Sequence, residues 1–296
     1  MFEGCIVALV TPMDGDGRIE FDRLPALLDH LLRGGVRGVV VAGTTGESAT
    51  LTSGEFEALL EAVTGHVSGR MPVLAGTGSP STAVAMERTR TAERLGADGA
   101  LVVTPYYNRP TQAGLRVHYE AIAASSDLPV VLYNVPARTA VDLLPETVAE
   151  LATHPQIVAV KEAVPEPHRI ERLLQRCEGR ITVLSGDDAT CAEAMLAGAQ
   201  GVISVVANVA PEPTSDLCDQ ALAGDRAGVG ESRERLAPLL ACLGAETNPI
   251  PVKWALHEMG LAGPGIRLPL LPLSEQHRPA LRASLQSLGL VPGPED

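Results

Sequence analysis

The feature that most constrains the fold of this chain is an eightfold alternation of short apolar runs and amphipathic segments. The apolar runs begin near positions 4, 38, 73, 100, 129, 157, 181 and 201. Each run is followed by a segment whose apolar residues recur at helical spacing. Continuous apolar runs are typical of parallel strands, because both faces of such strands are buried. Eight strand-helix units predict an α/β fold, a (β/α)8 TIM barrel.

The main alternative is a doubly wound sheet, which would more often carry a phosphate or dinucleotide loop. The nearest candidate is Gly76-x-Gly78, and it lacks the third glycine of that motif. From about Asp225 onward no strand pattern recurs. Helical patterns separated by proline-rich joints cover 233–243, 252–259 and 275–288. We therefore predict a barrel over 1–224 and a C-terminal helical region over 225–296, which serves packing or assembly.

Two helix starts have local signals. Asp22 precedes the first helical pattern and suits an N-cap, and Thr52 with Glu55 matches a capping box for the second helix.

Composition excludes several classes of protein. The net charge of −13 and the absence of a basic stripe argue against a nucleic-acid partner. No apolar run approaches the ~18 residues that span a membrane, and the N-terminus lacks the basic region of a signal peptide. The five cysteines are scattered and show no metal-ligand spacing, so we expect small buried side chains in a reducing compartment. A small-molecule partner is favoured.

Polar side chains collect at one end of the predicted barrel. Active sites of this fold are built at the carboxyl ends of the strands. The residues at those ends are Thr11, Thr44, Thr45, Thr77, Thr104, Tyr133, Lys161, Gly186 and Ser204. We therefore predict the functional site at this end.

Lys161 ends the sixth apolar run. Burial disfavours its charged form, and a neutral amine is a nucleophile that can form a Schiff base with a carbonyl. The alternative is a lysine that reaches solvent or pairs with Glu162. The position at a barrel mouth favours the catalytic role. Lys253, the only other lysine, lies in a helical pattern and is predicted to be structural.

Other strand-end residues each have two interpretations. The turn containing Thr44 and Thr45 offers amides and hydroxyls to a carboxylate, or is a plain connecting turn. Tyr133 can move protons if hydroxyls link it to substrate, or it fills the top of the barrel. Arg138 can clamp a carboxylate, or it forms a surface salt bridge. Of the adjacent Tyr106 and Tyr107, we expect one to face a partner subunit. The histidines have no zinc-site spacing.

Several segments together carry a family resemblance. They are FEGCIVALVTPMD, GTTGESATL, VTPYYNRPTQ, LYNVPARTAVDLLPETV, VKEA, LSGDDA, NPIPVKWAL and RLPL. The chain resembles the dihydrodipicolinate synthase family, lysine-dependent pyruvate aldolases of the wider N-acetylneuraminate lyase superfamily. GTTGE and the strand lysine are shared across the superfamily. YYNRP and the arginine of PARTA favour the synthases over sister aldolases.

The resemblance implies a role for each matching residue. Lys161 forms the Schiff base with pyruvate, and Tyr133 donates and accepts protons. Thr44 links Tyr133 to Tyr107, which reaches across from the neighbouring subunit of a tight dimer. Thr45, together with Thr44, binds the pyruvate carboxylate.

The second half of the implied site receives the other substrate. Gly186 and Ile203 line the pyruvate site, and Arg138 binds the carboxylate of L-aspartate 4-semialdehyde. The resemblance further implies a cytoplasmic enzyme of the diaminopimelate route to lysine, without metal or organic cofactor. It implies a homotetramer built as a dimer of dimers.

One departure from the family concerns feedback inhibition. Lysine-inhibited members commonly have Glu, His and Asn where this chain has Val84, Phe56 and Pro80, whereas Ser48, Ala49 and Tyr106 are kept. Valine cannot pair with an ammonium group, so we predict weak or no inhibition by lysine.

Two other hypotheses stay open at this point. One is a sister pyruvate aldolase acting on a sugar acid, such as N-acetylneuraminate or a 2-keto-3-deoxy acid. The other is a non-catalytic barrel that binds a small acid or a partner protein. Pyruvate-dependent labelling of Lys161 and a panel of aldehydes distinguish the three.

Overall fold

A closed barrel of eight parallel strands forms the centre of the computed structural model, which describes residues 2–166 and 168–293. The strands follow one another around the barrel in chain order, and the last pairs with the first. They are β1 Gly4–Ala8, β2 Gly38–Val41, β3 Val73–Gly76, β4 Gly99–Val103, β5 Val130–Asn134, β6 Ile157–Glu162, β7 Thr182–Ser185 and β8 Gly201–Ser204. The predicted TIM barrel is confirmed, with every strand starting within one residue of its predicted position.

Helices follow every strand and cover the barrel. The first nine are α1 Leu24–Arg33, α2 Ser53–Val67, α3 Thr82–Arg94, α4 Gln112–Ala123, α5 Pro136–Thr139, α6 Pro145–Leu151, α7 Arg169–Cys177, α8 Cys191–Leu196 and α9 Pro211–Leu222. Within the described ranges, no helix is long and apolar enough to cross a membrane.

The two predicted helix starts had different outcomes. The capping box of α2 is present, since Thr52 accepts from the amide of Glu55, whose carboxylate accepts from the amide of Thr52. The prediction for Asp22 is wrong. A 3₁₀ turn, Phe21–Arg23, runs directly into α1, so Asp22 lies inside helical backbone and caps nothing.

Two apolar layers surround the strands because successive side chains of a strand face opposite sides. On β6, Ala159 faces the barrel interior and Val160 faces the helices. The same alternation turns Lys161 inward, above Ala159, and turns Glu162 outward. The strand therefore presents its lysine to the mouth of the barrel.

Three further helices follow the barrel: α10 Arg226–Leu243, α11 Ile250–Glu258 and α12 Arg278–Ser287. α10 begins seven residues before the predicted helical segment, because Gly228 and Gly230 weaken the helical signal of its first turns. Leu236, Trp254 and Leu285 pack into the same outer core as the barrel strands and helices. The division of the chain at 224/225 stays a prediction.

Four of the five cysteines are buried in the interior, as predicted. All five have free thiols, and Cys5, Cys177, Cys191 and Cys218 are buried, whereas Cys242 is half-buried. Burial raises the pKa of the Cys191 thiol well above its usual value, so it is an inert thiol.

Candidate active site

A cavity of about 350 Å³ lies at the carboxyl ends of the strands. The ends of β2, β5, β6 and β7 and the loops that follow them supply most of its lining. Six of the eight predicted site residues line this cavity: Thr44, Thr45, Tyr133, Arg138, Lys161 and Gly186. Residues drawn from most of the barrel's circumference thus meet in one space.

Lys161 lies at the centre of this arrangement. The residue is only 5% exposed, and it lines the cavity together with Tyr133 and Gly186. Tyr133 is its partner in the register of β5 and β6. The Nζ atom lies 4.3 Å from the centre of the Tyr133 ring, where the π-face attracts a cation. An amine and a phenol are therefore held together at the barrel mouth.

Glu162, the next residue, belongs to a different environment. Its carboxylate accepts from Arg169 Nε at 3.0 Å and from Asn134 Nδ2 at 3.1 Å on the outer side of the strand. Burial raises the pKa of this carboxyl, and the Arg169 guanidinium opposes that effect. Because Glu162 is engaged outside the barrel, the alternative in which Lys161 pairs with it is wrong.

Gly186 provides room for the lysine. A Cβ atom at this position would lie 3.0 Å from Lys161 Cε and 2.8 Å from the Cβ of Ala163. The Gly186 amide also donates to the Glu162 carbonyl at 2.7 Å, which fixes the loop after β7 against β6. A larger residue would push the loop or the lysine out of place.

The turn after β2 places two hydroxyls in the cavity wall. The amides of Glu47 and Ser48 donate to the carbonyls of Thr44 and Gly43, at 3.1 and 3.2 Å, and close the turn. Thr45 is 2% exposed, and its Oγ1 accepts from Asn248 Nδ2 at 3.0 Å. The turn is thus fixed by the backbone and by a residue from the far end of the chain.

Arg138 extends from the short helix α5 into the cavity wall. Its Nη2 donates to the backbone carbonyl of Asn248 at 3.1 Å. Among residues 2–166 and 168–293, no carboxylate lies within 4.0 Å of its guanidinium, so the surface salt bridge considered from sequence is absent there. A second cavity of about 330 Å³ shares Thr44, Val135, Arg138 and Asn248 with the first. Arg138 therefore borders both spaces with donors available to an anion.

Two predicted site residues lie outside the cavity lining. Ile203 packs in the barrel interior, in the same cluster as Tyr133 and Leu184. Tyr107 is 94% exposed and has a positive φ of 73°, whereas Tyr106 is 39% exposed and borders the second cavity. The two adjacent tyrosines thus have different environments, and the contact of one of them with a partner subunit stays a prediction.

Sequence reasoning missed two residues of the cavity wall. The sequence places Asn248 in a proline-rich joint between helices and in the family-like segment NPIPVKWAL, but assigns it no role in the site. Asp188 follows the seventh strand, within the family-like segment LSGDDA, and is likewise assigned no role by the sequence. Its Oδ2 accepts from the amides of Val205 and Val206 at 2.8 and 3.0 Å, and burial raises its pKa. For Asn248 the available signal was a polar residue directly before a proline, which restricts its backbone. For Asp188 it was a polar residue two positions after the strand-end Gly186.

No metal centre is found in the part of the chain that the structure describes. There, no group of three or more His, Cys, Asp and Glu side chains is placed to hold an ion. The groups that the cavity offers for chemistry are an amine, a phenol, hydroxyls and a guanidinium.

The closed barrel, with a cavity at the carboxyl ends of its strands, places the protein in the (β/α)8 barrel class. More particularly, the chain belongs to the dihydrodipicolinate synthetase family, whose model matches residues 1–288. It is therefore a lyase. The 4-hydroxy-tetrahydrodipicolinate synthase of Pseudomonas syringae pv. syringae is 51% identical over 291 residues, covering 98% of this chain and 100% of the relative. That of Stutzerimonas stutzeri is 49% identical with the same coverage.

Solved structures of dihydrodipicolinate synthases are similar to this chain over almost its whole length. The chloride-inhibited dihydrodipicolinate synthase from Acinetobacter baumannii, complexed with pyruvate, superposes with a TM-score of 0.96 at 47% identity. The alignment covers 98% of this chain and 100% of that chain. DHDPS from Cyanidioschyzon merolae, with lysine bound, gives a TM-score of 0.94 at 36% identity, over 98% and 99% of the two chains.

Proposed function

We propose that this chain is a 4-hydroxy-tetrahydrodipicolinate synthase that condenses pyruvate with L-aspartate 4-semialdehyde through a Schiff base on Lys161. The observation that carries the proposal is the buried lysine against the face of Tyr133, in a cavity at the barrel mouth. Close similarity over the whole length to proteins of that name supports it.

The lysine supplies the nucleophile. The Nζ of Lys161 attacks the ketone carbon of pyruvate, and loss of water leaves an imine. Loss of a methyl proton then converts the imine into an enamine, whose terminal carbon bonds to the aldehyde carbon of the second substrate. The amino group of that substrate finally attacks the imine carbon, closes the ring and releases Lys161.

Tyr133 is the group placed to move the protons. It is 6% exposed and its ring lies beside the amine, within reach of substrate atoms bound there. Thr44 borders the same cavity and extends the route toward the surface. We assign Tyr107 of the neighbouring subunit as the outer member of this relay. Its 94% exposure in a single chain leaves it free to enter a partner's site.

Carboxylates of the two substrates have separate partners. The hydroxyls of Thr44 and Thr45 face pyruvate beside the lysine, with Gly186 and the interior residue Ile203 shaping that pocket. Arg138 lies farther out, between the two cavities, and binds the carboxylate of L-aspartate 4-semialdehyde. Its planar fork of N–H donors suits a carboxylate. An arrangement of one inner and one outer anion site fits a two-substrate condensation.

The active form is proposed to be a homotetramer made of two tight dimers, located in the cytoplasm. Tyr107 does not line the cavity of its own chain, so its proposed role in the relay depends on a neighbouring subunit. A dihydrodipicolinate synthase variant described as monomeric is 42% identical to this chain, so assembly differs among relatives.

Inhibition by lysine is proposed to be weak or absent. Val84 is 38% exposed on α3 and offers an ammonium group no acceptor, and Phe56 is 4% exposed within the core. The second cavity, bordered by Tyr106, also contains the side chain of Arg88, whose positive charge disfavours a lysine ligand.

A panel of aldehydes offered with pyruvate tests the proposal. We expect turnover with L-aspartate 4-semialdehyde and little with N-acetylmannosamine or glyceraldehyde. Preference for a sugar would instead identify a sister aldolase acting on a sugar acid. Failure of every aldehyde, together with no pyruvate adduct on Lys161, would identify a barrel without this catalysis.

A further inference from the structure

Asn248 connects the two anion sites of the cavity. It lies between α10 and α11, outside the barrel strands. Its side-chain Nδ2 donates to Thr45 Oγ1 at 3.0 Å, and its backbone carbonyl accepts from Arg138 Nη2 at 3.1 Å. These partners are 203 and 110 positions away in the chain. One residue of the C-terminal helical region therefore contacts both halves of the site.

The bond to Thr45 determines what that hydroxyl can offer a ligand. A threonine hydroxyl has one hydrogen to donate and two lone pairs with which to accept. Because Oγ1 already accepts from the amide of Asn248, its hydrogen is directed elsewhere. Within residues 2–166 and 168–293, no protein acceptor takes that hydrogen. The hydroxyl is thus an available donor in the wall of a cavity that also contains Lys161.

We propose that Asn248 is a positioning residue, which holds the Thr45 hydroxyl as a donor for the pyruvate carboxylate. The inference rests on the proposed function. It assigns the side chain of Asn248 to the pyruvate half of the site only, because Arg138 is bound by the backbone carbonyl and keeps that contact whatever side chain is present. The effect of a substitution should therefore differ between the two substrates.

The test compares Asn248→Ala and Asn248→Asp with the wild type. Pyruvate binding is measured without aldehyde, as the pyruvate concentration that gives half-maximal borohydride trapping, and KM is measured for both substrates. Asn248→Ala should raise the half-trapping concentration about 10-fold, the effect of losing a hydrogen bond that orients a donor to a charge. The KM for L-aspartate 4-semialdehyde should stay within about 2-fold of the wild type.

Asn248→Asp separates positioning from packing. Aspartate has nearly the shape of asparagine but lacks its N–H donor, so this variant separates the loss of the donor from the loss of side-chain volume. We expect the half-trapping concentration of pyruvate for Asn248→Asp to be about 10-fold higher than that for Asn248→Ala. The new carboxylate accepts the hydrogen of the Thr45 hydroxyl and repels the pyruvate carboxylate. The reverse order would overturn the inference.

A double variant shows whether the effect passes through Thr45. In a Thr45→Val background the hydroxyl is gone, so adding Asn248→Ala should change pyruvate binding by less than about 2-fold. If the two substitutions instead weaken pyruvate binding additively, the inference is overturned. If the alanine variant does not fold, Asn248→Ser replaces it in the comparison with Asn248→Asp. A positioning role predicts that the half-trapping concentration of pyruvate rises less for the serine variant than for the aspartate variant.

The inference and the proposed function fail in different ways. A wild-type protein that forms no adduct with pyruvate would contradict the function. A wild type that forms the adduct, with both Asn248 variants binding pyruvate within about 2-fold of it, would leave the function standing and remove Asn248 from the site.

Discussion

The ammonium of Lys253 is bound by the carboxylate of Glu47, in a pair whose side chains are 4% and 1% exposed. The pair joins helix α11 to the turn that carries Thr45, and the second oxygen of Glu47 accepts from the amide of Arg267 at 3.0 Å. Burial lowers the pKa of Lys253, and the adjacent Glu47 opposes that effect. The structural role predicted for this lysine thus has a physical basis in a buried bridge between two regions of the chain.

Removing one member of this pair should destabilise the protein strongly. Lys253→Met keeps the length of the side chain but leaves the Glu47 carboxylate buried without its cation. We expect the free energy of unfolding to fall by about 3–5 kcal/mol. Denaturant titration checks this, and the double variant Lys253→Met with Glu47→Gln should recover much of the loss. A single variant as stable as the wild type would show that the pair is not needed.

Tyr107 should act in the site of its neighbour. Tyr107→Phe removes only a hydroxyl, and we expect kcat to fall about 100-fold because the proton route is broken. The kcat of Tyr106→Phe, the matched change at the adjacent position, should fall much less.

Mixing two variants of low activity tests whether Tyr107 enters the site of the neighbouring subunit. Hybrids of Tyr107→Phe with Lys161→Ala contain one site with both defects and one with neither, if Tyr107 enters the partner's site. Activity of the mixture should then exceed that of both parents. If Tyr107 served its own chain, every site would carry a defect and activity would not recover.

Lysine should inhibit weakly or not at all. We expect an inhibition constant above about 1 mM in a steady-state assay, because Val84 and Phe56 give an ammonium group no acceptor. Val84→Glu should strengthen inhibition by only a few-fold, as expected for a half-exposed ion pair. Inhibition of the wild type well below that concentration would contradict the proposal.

The buried His118 makes stability depend on pH. Burial lowers its pKa from 6.5 to about 4, so between these values the unfolded chain binds a proton that the folded chain does not. Stability should therefore fall as the pH drops through this window, by roughly 2–3 kcal/mol at its lower end. Denaturation curves at several pH values measure the slope.

A matched pair of variants isolates this histidine. His118→Gln keeps a partner for the Thr82 hydroxyl, which lies 2.9 Å from Nδ1, and removes the titration. Its stability should vary less with pH in this window. His168→Gln, at a side chain that is 74% exposed, should keep the wild-type slope. Equal slopes in all three proteins would refute the assignment to His118.

The barrel was predictable from sequence because its signals are local. Each strand is a continuous apolar run, and the capping box at Thr52 is decided within four residues. The prediction for Asp22 was wrong because a 3₁₀ turn, none of whose residues is buried, continues directly into α1, and the apolar spacing of the sequence does not mark that turn.

The site was predictable to the extent that strand ends define it. Lys161, Tyr133 and Thr45 come together because parallel strands end at the same side of a barrel. Asn248 could not be predicted in this way, since its contact with Thr45 depends on how a helical region folds back over 203 positions. Tyr107 could not be placed either, because its role depends on a second copy of the chain.

The central claim is that Lys161 forms a Schiff base with pyruvate, and borohydride trapping tests it most directly. The chain has only two lysines, and Lys253 is held in a buried ion pair. Incubation with pyruvate and borohydride should add one reduced pyruvyl group per chain, and peptide mapping should place it on Lys161. Lys161→Ala should remain folded, take up no group and lose nearly all turnover. No added mass in the wild type, or a group on Lys253, would contradict the account.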